Sequence, residues 1–434
     1  MKLYSHYISG SLKFGLSLGV VSLLARWATG NTIVTSPETL VKFGLVGGIG
    51  FSVMGAFTFF IFGIIAQRIR INFPQHETIG DFLKDRIKPS GSSALLWMII
   101  FLGFDSLFVH SIGVGIFLNI LFEIPVNIGL FFFLFYCFIH AGLGGMKWIQ
   151  RFEGINIIFI FTGIIFLPVY FFILEGVFPI YNGIRLYHPY LLFWNNKEAI
   201  LFIITAILIG FGQIITDRST WQRIYLIEPA KIRSTFWLTG TLLGTIPLAL
   251  SAMTLISIFD QRFQDSYSLL FQLIPKIDSV PLVVLIMLFF FGTFTTTANA
   301  ELHATTVLIV KNCLNDSKKL TARQLYQYSY LISGLLCLVL LVISSTIAPS
   351  LHQLLFFFGK LYAALIPVML WVVFSKRQIS YLIPYSALIG WLISILFFST
   401  AGPLLSIWIS FSISLVCGFF LMAVDAIVKR DTQG

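Results

Sequence analysis

Charge is what this sequence has least of. Only 11% of its 434 residues are Asp, Glu, Lys or Arg, less than half the usage of an ordinary soluble domain. That excludes a soluble enzyme. Cysteine is also scarce: Cys137, Cys313, Cys337 and Cys417 are scattered and form no Cys-x-x-Cys pair, which excludes a disulfide framework or a metal cluster. No polar linker or low-complexity tract interrupts the chain, so the expectation is a single membrane domain over residues 1–434 with no separate soluble part. HExxH, GxSxG and a paired aspartate within an apolar span are all missing, so hydrolytic membrane chemistry is not expected and the chain reads as no enzyme. The first residues lack a small-residue cleavage site after a short apolar stretch and read as the approach to a first span.

What fills the sequence instead is apolar: 57% of residues are hydrophobic, in runs long enough to cross a bilayer core of about 30 Å. Twelve spans are expected, roughly 10–36, 46–67, 93–121, 125–145, 154–176, 198–217, 233–259, 279–312, 324–347, 351–374, 380–399 and 402–428. In lipid, segments of this length satisfy their own backbone only as helices. The fold class is therefore an all-α polytopic membrane protein. The 28 basic and 18 acidic residues leave a net charge of +10, which in a soluble protein would point to nucleic acid. Here the bases sit in alternate loops. Arg68, Arg70, Lys84, Arg86 and Lys88 share one; Lys147 and Arg151, then Arg218, Arg223, Lys231 and Arg233, then Lys311, Lys318, Lys319 and Arg323, then Lys376 and Arg377, then Lys429 and Arg430 follow. The loops at Phe122–Pro125, Ser344–His352 and Phe398–Pro403 are poor in Lys and Arg. This is orientation by the positive-inside rule, with both termini cytoplasmic and, in a bacterium, an inner-membrane protein. The partners expected are the bilayer and a small-molecule solute, with no nucleic acid and one chain sufficient for function.

Three spans depart from plain Leu, Ile and Phe. The first contains Ala25-Arg26-Trp27-Ala28-Thr29-Gly30-Asn31-Thr32, a poor helix at membrane depth. Either it unwinds to line a cavity, as broken helices of secondary transporters do, or Gly30 and Asn31 end a helix before an ordinary loop. The sixth carries Gly210-Phe211-Gly212-Gln213 before Thr216-Asp217-Arg218, read either as a matching interruption five spans on or as close packing by small residues. The eighth places six threonines between Thr293 and Thr306. They form a packing face of hydroxyls bonded back to their own helix, or oxygen ligands for a small hard cation, by the logic that governs other hard ions.

At these residues the chain resembles the sodium:solute symporter family, which includes sodium–sugar and sodium–proline symporters. Tyr7-Ile8-Ser9-Gly10-Ser11-Leu12 resembles the family's "YF-x-G-R-S" lead-in, and Ser22–Gly44 its broken helix. Thr78–Arg86 resembles "T-x-P-E-Y-L-x-x-R", and Gly144–Lys147 with Arg151 and Phe152 resembles the inner loop "GG-x-x-A…D-x-x-Q". Asp217–Arg223 with Pro229-Ala230-Lys231 resembles "DQ-x-x-x-QR-x-x-x-AK", and Thr296–Asn312 resembles the polar repeat of the eighth helix. The resemblance implies a five-plus-five inverted-repeat core at about 10–374, with broken helices one and six, and two added helices at about 380–428. It also implies a Na⁺ site formed by the carbonyls of Ala25, Ala28 and Thr293 and the hydroxyls of Thr296 and Thr297. The function implied is Na⁺-coupled symport of a small organic solute. The alternatives are a proton-coupled carrier of the same fold and a transporter-shaped sensor that moves nothing.

For the solute, the family's register places Thr32 on the first helix, Phe51 and Met54 on the second, and Gln213 on the sixth; Trp27 stands where a proline carrier has Asp. Neither a sugar nor proline fits that set. Four ionisable positions lie inside spans: Arg26, Asp105 with His110, Glu301 and Lys360. Such groups are costly unless paired and are functional candidates by default. Arg26 is expected either to pair with Asp105 or to hold a solute carboxylate, and Lys360 either to face the cavity or to snorkel. Arg26 and Lys360 tilt the expectation toward an amino acid or organic anion, bound among Arg26, Trp27, Thr29, Thr32, Phe51, Asp105, Gln213 and Lys360.

Overall fold

The computed structural model describes residues 2–10, 13–259, 269–270, 273–274, 277–346 and 351–431; Ser11 and Leu12 of the lead-in motif lie outside them. The described chain folds into helices: α1 (Lys2–Ser9), α2 (Leu16–Trp27), α3 (Gly30–Asn72), α4 (Ile79–Arg86), α5 (Pro89–Phe122), α6 (Val126–Cys137), α7 (Gly145–Glu175), α8 (Val177–Tyr187), α9 (Lys197–Thr216), α10 (Arg218–Leu226), α11 (Ile232–Ile258), α12 (Val280–Val307), α13 (Asn315–Lys318), α14 (Ala322–Thr346), α15 (Leu351–Phe374), α16 (Pro384–Leu396) and α17 (Phe398–Asp431). Wide turns, Phe138–Leu143 and Leu308–Leu314, prolong α6 and α12. Ten helices among the described residues are long and apolar enough to cross a membrane, and the shorter apolar α2 and α16 complete twelve passes.

The neighbours of each helix reveal an internal repeat. α2 packs on α7 and α11; five spans later α9 packs on α15 and on the second half of α3. α5 lies against α6 as α12 lies against α14, and α7 lies on α12 as α15 lies on α5. These packings correspond when each span is exchanged for the one five places on, the pattern of an internal repeat. α16 and α17 stand outside this pattern, packing on each other and on α15.

The first span is broken where the sequence weakens it, between α2 and α3. The sixth is broken too, but not at Gly210–Gln213. Those residues are helical, and the chain leaves the helix at Asp217 (φ −71°, ψ 109°). The two glycines serve packing: a Cβ on Gly212 would stand 2.5 Å from the Tyr362 carbonyl oxygen, and one on Gly210 3.1 Å from Met54 Sδ. Asp217 is the better breaker because its side chain caps the helix that follows.

Gly44 turns the first span into the second. Its backbone (φ 71°, ψ −167°) lies in a region open essentially to glycine alone, and a Cβ there would stand 2.8 Å from the Leu191 carbonyl oxygen. On the basic side, α4 docks on the end of α12. Thr78 and Asp81 form a capping box, Asn312 donates to Asp81 Oδ1 (2.8 Å), and Lys311 Nζ reaches Asp81 Oδ2 (2.8 Å) and Glu77 Oε2 (2.7 Å). Two segments singled out by motif, Thr78–Arg86 and Thr296–Asn312, thus meet in space. Burial alone would raise the Asp81 carboxyl, but Lys311 outweighs it and holds the group below the usual carboxylate range.

Gly44→Ala is expected to lower the unfolding temperature more than Gly402→Ala. Both glycines have the same strained backbone, worth on the order of 1–3 kcal/mol, but Gly402 has open space around it; thermal unfolding of both variants decides. Asp81 ionises more readily folded than unfolded, so its contribution is present above the ordinary carboxylate range and lost as pH falls through its lowered value. The stability gap between the wild type and Asp81→Asn is therefore full at neutral pH and closes below pH ~4, read from unfolding curves across pH.

Candidate functional site

Breaking a helix inside a membrane frees backbone groups that must find partners. At the first break, Ala28 (ψ 76°) and Thr29 (ψ 148°) are extended. Thr29 Oγ1 accepts from the Thr32 amide (3.3 Å), and His110 Nε2 accepts from the Gly30 amide (3.1 Å) while its Nδ1 bonds the Ser106 carbonyl. Both ring nitrogens are thereby committed, which makes His110 a structural cap. At the second break, Asp217 Oδ2 accepts from the Thr220 amide (2.7 Å) and hydroxyl (2.6 Å).

A buried cluster of four charges joins the breaks. Arg26 donates through Nε to Asp217 (3.1 Å) and through Nη2 to Asp217 Oδ1 and to Glu301 Oε2 (2.7 Å). Arg218 donates through Nε to Glu301 Oε1 (2.7 Å), and through its terminal nitrogens to Glu301 and to the Ile99 carbonyl. Thr305 donates to the same Glu301 oxygen (2.9 Å). Two guanidinium groups and two carboxylates cancel. Beside them Trp27 Nε1 donates to Thr220 Oγ1 (2.8 Å). Arg223, fully buried, ties α10 to Ser22 of α2 and Glu153 of α7. The expected Arg26–Asp105 pair does not form. The break brings Asp217 within reach of Arg26, and Asp105 instead accepts from the Tyr362 hydroxyl (3.1 Å).

The residues carried over for Na⁺ come together in part. Thr297 Oγ1 donates across 271 positions of sequence to the Arg26 carbonyl at the first break (3.3 Å) and to the Thr293 carbonyl (3.4 Å). Thr296 Oγ1 turns back to the Gly292 carbonyl (2.8 Å). Ala25 and Ala28 are fully buried beside them. The oxygens brought together here are neutral hydroxyls and carbonyls. Arg26 sits next to this set, but Asp217 and Glu301 neutralise it. Among the described residues no group of three or more His, Cys, Asp or Glu is arranged to hold a metal.

A cavity of about 490 Å³ opens beside the breaks. Arg26, Trp27, Thr29, Thr32, Phe51, Asp105 and Gln213 line it, with Met54, Phe59 and Tyr362. Lys360 does not. Its Nζ lies 4.0 Å from the centre of the Phe398 ring and its carbonyl accepts from Ser410 of α17. On a helix, Tyr362 two residues on points to nearly the opposite side, so the helix that presents Tyr362 to the cavity turns Lys360 toward α17. Both cations behind the expectation of an anionic solute are therefore unavailable: one is neutralised and the other is outside. Tyr362 and the capping role of Asp217 escaped the sequence reading, since a tyrosine in an apolar run and an aspartate at a span end carry no signal on their own.

Compared with family profiles and with the sequences of curated proteins, the chain gives no match. Compared with solved structures, it is similar over nearly its whole length to several transporters. A Na⁺-coupled sialic acid symporter in a substrate-bound, outward-open state superimposes with a TM-score of 0.77 at 12% identity, covering 97% of this chain and 92% of that one. Mhp1, a nucleobase-cation-symport-1 family transporter in a closed conformation with bromovinylhydantoin bound, gives 0.62 at 13% identity, covering 97% and 94%. MhsT in complex with L-phenylalanine gives 0.60 at 15% identity, covering 95% and 99%. The chain has the five-plus-five inverted-repeat fold that these transporters share.

Proposed function

We propose that the chain is a Na⁺-coupled symporter that imports a small organic solute by alternating access. The observation that carries this reading is the bond from the Thr297 hydroxyl to the Arg26 carbonyl. It brings an oxygen of the eighth span to the free carbonyls of the first break, where Ala25, Ala28, Thr293 and Thr296 would add further oxygens. An ion bound there ties α12 to the hinge between α2 and α3, so its binding biases which side of the protein is open.

The arrangement is that of an outward-facing state. The inner half-helices α2 and α10 are bound to each other by Arg26–Asp217, by Trp27–Thr220 and by the parallel bridge of Phe14 with Ile227. The cavity extends the other way, to Glu38, Lys42 and Glu198. With the basic loops and termini in the cytoplasm, that mouth faces outward. Opening inward requires α2 and α10 to separate and the Arg26–Asp217 pair to part. The gradient supplies the work, about 2.3 kcal/mol per charge for each 100 mV of potential.

Thermal unfolding of the purified full chain in NaCl against KCl at equal ionic strength tests the ion. At a hundred times its dissociation constant, Na⁺ is expected to stabilise by about 2.7 kcal/mol, and Thr297→Ala to abolish the shift. No Na⁺ effect at any concentration sinks the coupling. Arg26→Ala leaves Asp217 and Glu301 with one buried cation between them, and is expected to cost about 3–5 kcal/mol. Trp27→Phe, which loses one hydrogen bond of the same interface, costs only about 0.5–1.5 kcal/mol; denaturant midpoints of the two variants rank them.

A further inference from the structure

In the deep part of the cavity, one carboxyl has no salt-bridge partner among the described residues. Asp105, on α5, is buried and lines the cavity wall. Its Oδ2 accepts from the Tyr362 hydroxyl (3.1 Å), and among the described residues no Lys, Arg or His lies within ion-pairing distance of either oxygen. The cations nearest to it are committed elsewhere. Arg26 is shared by Asp217 and Glu301, and Arg218 is held by Glu301 and the Ile99 carbonyl. His110, on the same helix, spends both ring nitrogens on Gly30 and Ser106. Lys360 is turned away to Phe398. With the four-charge cluster neutral, Asp105 is the group in the deep part of the cavity that could meet a charged solute.

A buried carboxylate with one neutral donor is costly, so it either takes up a proton or is joined by a cation. The walls fit an apolar body: Trp27, Phe51, Met54 and Phe59 line the same cavity as Asp105 and Tyr362. Aromatic faces also attract an ammonium group. We infer that the solute is an organic cation, an amine or quaternary ammonium, whose charged nitrogen rests between the Asp105 carboxylate and the Tyr362 ring while its apolar part fills the aromatic side of the cavity. This rests on the reading of the cavity as the solute site of a Na⁺-coupled carrier, and it reverses the sign of the solute expected from Arg26 and Lys360.

The test is thermal unfolding of the purified full chain in NaCl and in KCl with sets of isosteric probes. Each set is a primary amine, its trimethylammonium analogue, the alcohol and the carboxylate, built on phenyl, indolyl and cyclohexyl bodies. The ammonium members are expected to raise the unfolding temperature of the wild type in NaCl, and their isosteres to do nothing. Asp105→Asn is expected to weaken the ammonium effect at least about thirtyfold in apparent affinity, with the Na⁺ shift intact, and Asp105→Glu to retain part of it. Should Asp105→Asn fail to fold, the ammonium-over-carboxylate ratio on the wild type and on Asp105→Glu decides. Carboxylates or alcohols stabilising as well as amines, or no amine stabilising while Na⁺ still does, overturns the organic cation and leaves the carrier standing. An Asp105→Asn variant that alters the Na⁺ titration alone gives the residue to the ion and also overturns it. Loss of the Na⁺ shift in the wild type, with the ammonium preference retained, fails the coupling and not the charge of the solute.

Discussion

The four buried charges of Arg26, Asp217, Arg218 and Glu301 are the constraint on which the rest of the site depends. Each would be prohibitive alone in an apolar bundle. Together they are neutral, and every one accepts or donates charge-assisted hydrogen bonds. They also come from three different elements: Arg26 from the end of α2, Asp217 and Arg218 from the start of α10, and Glu301 from the middle of α12. The cluster cannot form unless both broken helices and the eighth span hold one relative placement. Its cost as a set is offset only in that placement, which makes it a device for specifying one closed arrangement of the inner half, the use for which buried ionic groups are best attested.

A lock of this kind suits a moving protein because it is discrete. Dispersion contacts between α2 and α10 would weaken gradually as the helices part. A bidentate guanidinium–carboxylate pair is either made or replaced by water, so the inner half has two well-separated conditions. The breaks themselves supply the flexibility. Thr29, His110 and Asp217 satisfy the freed amides with side chains, so the half-helices are complete units that can tilt without unravelling. Other backbone irregularities follow the same logic: the wide turn Phe138–Leu143 leaves the Gly142 carbonyl to accept from the Tyr7 hydroxyl (2.7 Å), pinning α1 under the bundle.

The class of fold and the count of passes were legible because length and hydropathy obey the bilayer. The first break was legible because Thr29-Gly30-Asn31-Thr32 is a poor helix in any context. The sixth was misplaced by four residues, and for a physical reason. Glycine pairs weaken a helix in isolation, but inside a bundle they admit a neighbour, here Tyr362 and Met54, and the contact restores what the glycines lose. Asp217 breaks its helix through a cap, a choice between two local partners that periodicity does not register. Pairing failed in the same way. Arg26 and Asp105 line one cavity without pairing, and which carboxylate reaches a guanidinium depends on how the broken segments swing. Lys360 failed by rotation: its depth was readable and its azimuth was not, until Ser410 and Phe398 of α17 fixed it.

The same rotation and pairing decide the electrostatics of the cavity. Counting intramembrane residues by sequence gives two cations near the site, Arg26 and Lys360, and an apparent appetite for anions. Geometry removes both, one by neutralisation and one by azimuth, and leaves Asp105 beside Tyr362. The neutral lock and the Asp105 carboxyl then have separate duties. If the lock had a net charge, binding of a charged solute would pull directly on Arg26 or Asp217 and release the inner half as the solute arrived. In the proposed carrier, a solute charge met by Asp105 would leave the neutral lock in place, and the signal to open would come through the hinge that Thr297 touches. That proposal gives selection of the solute and release of the gate to different groups, a separation that a coupled carrier needs if neither ligand alone is to open the inner side.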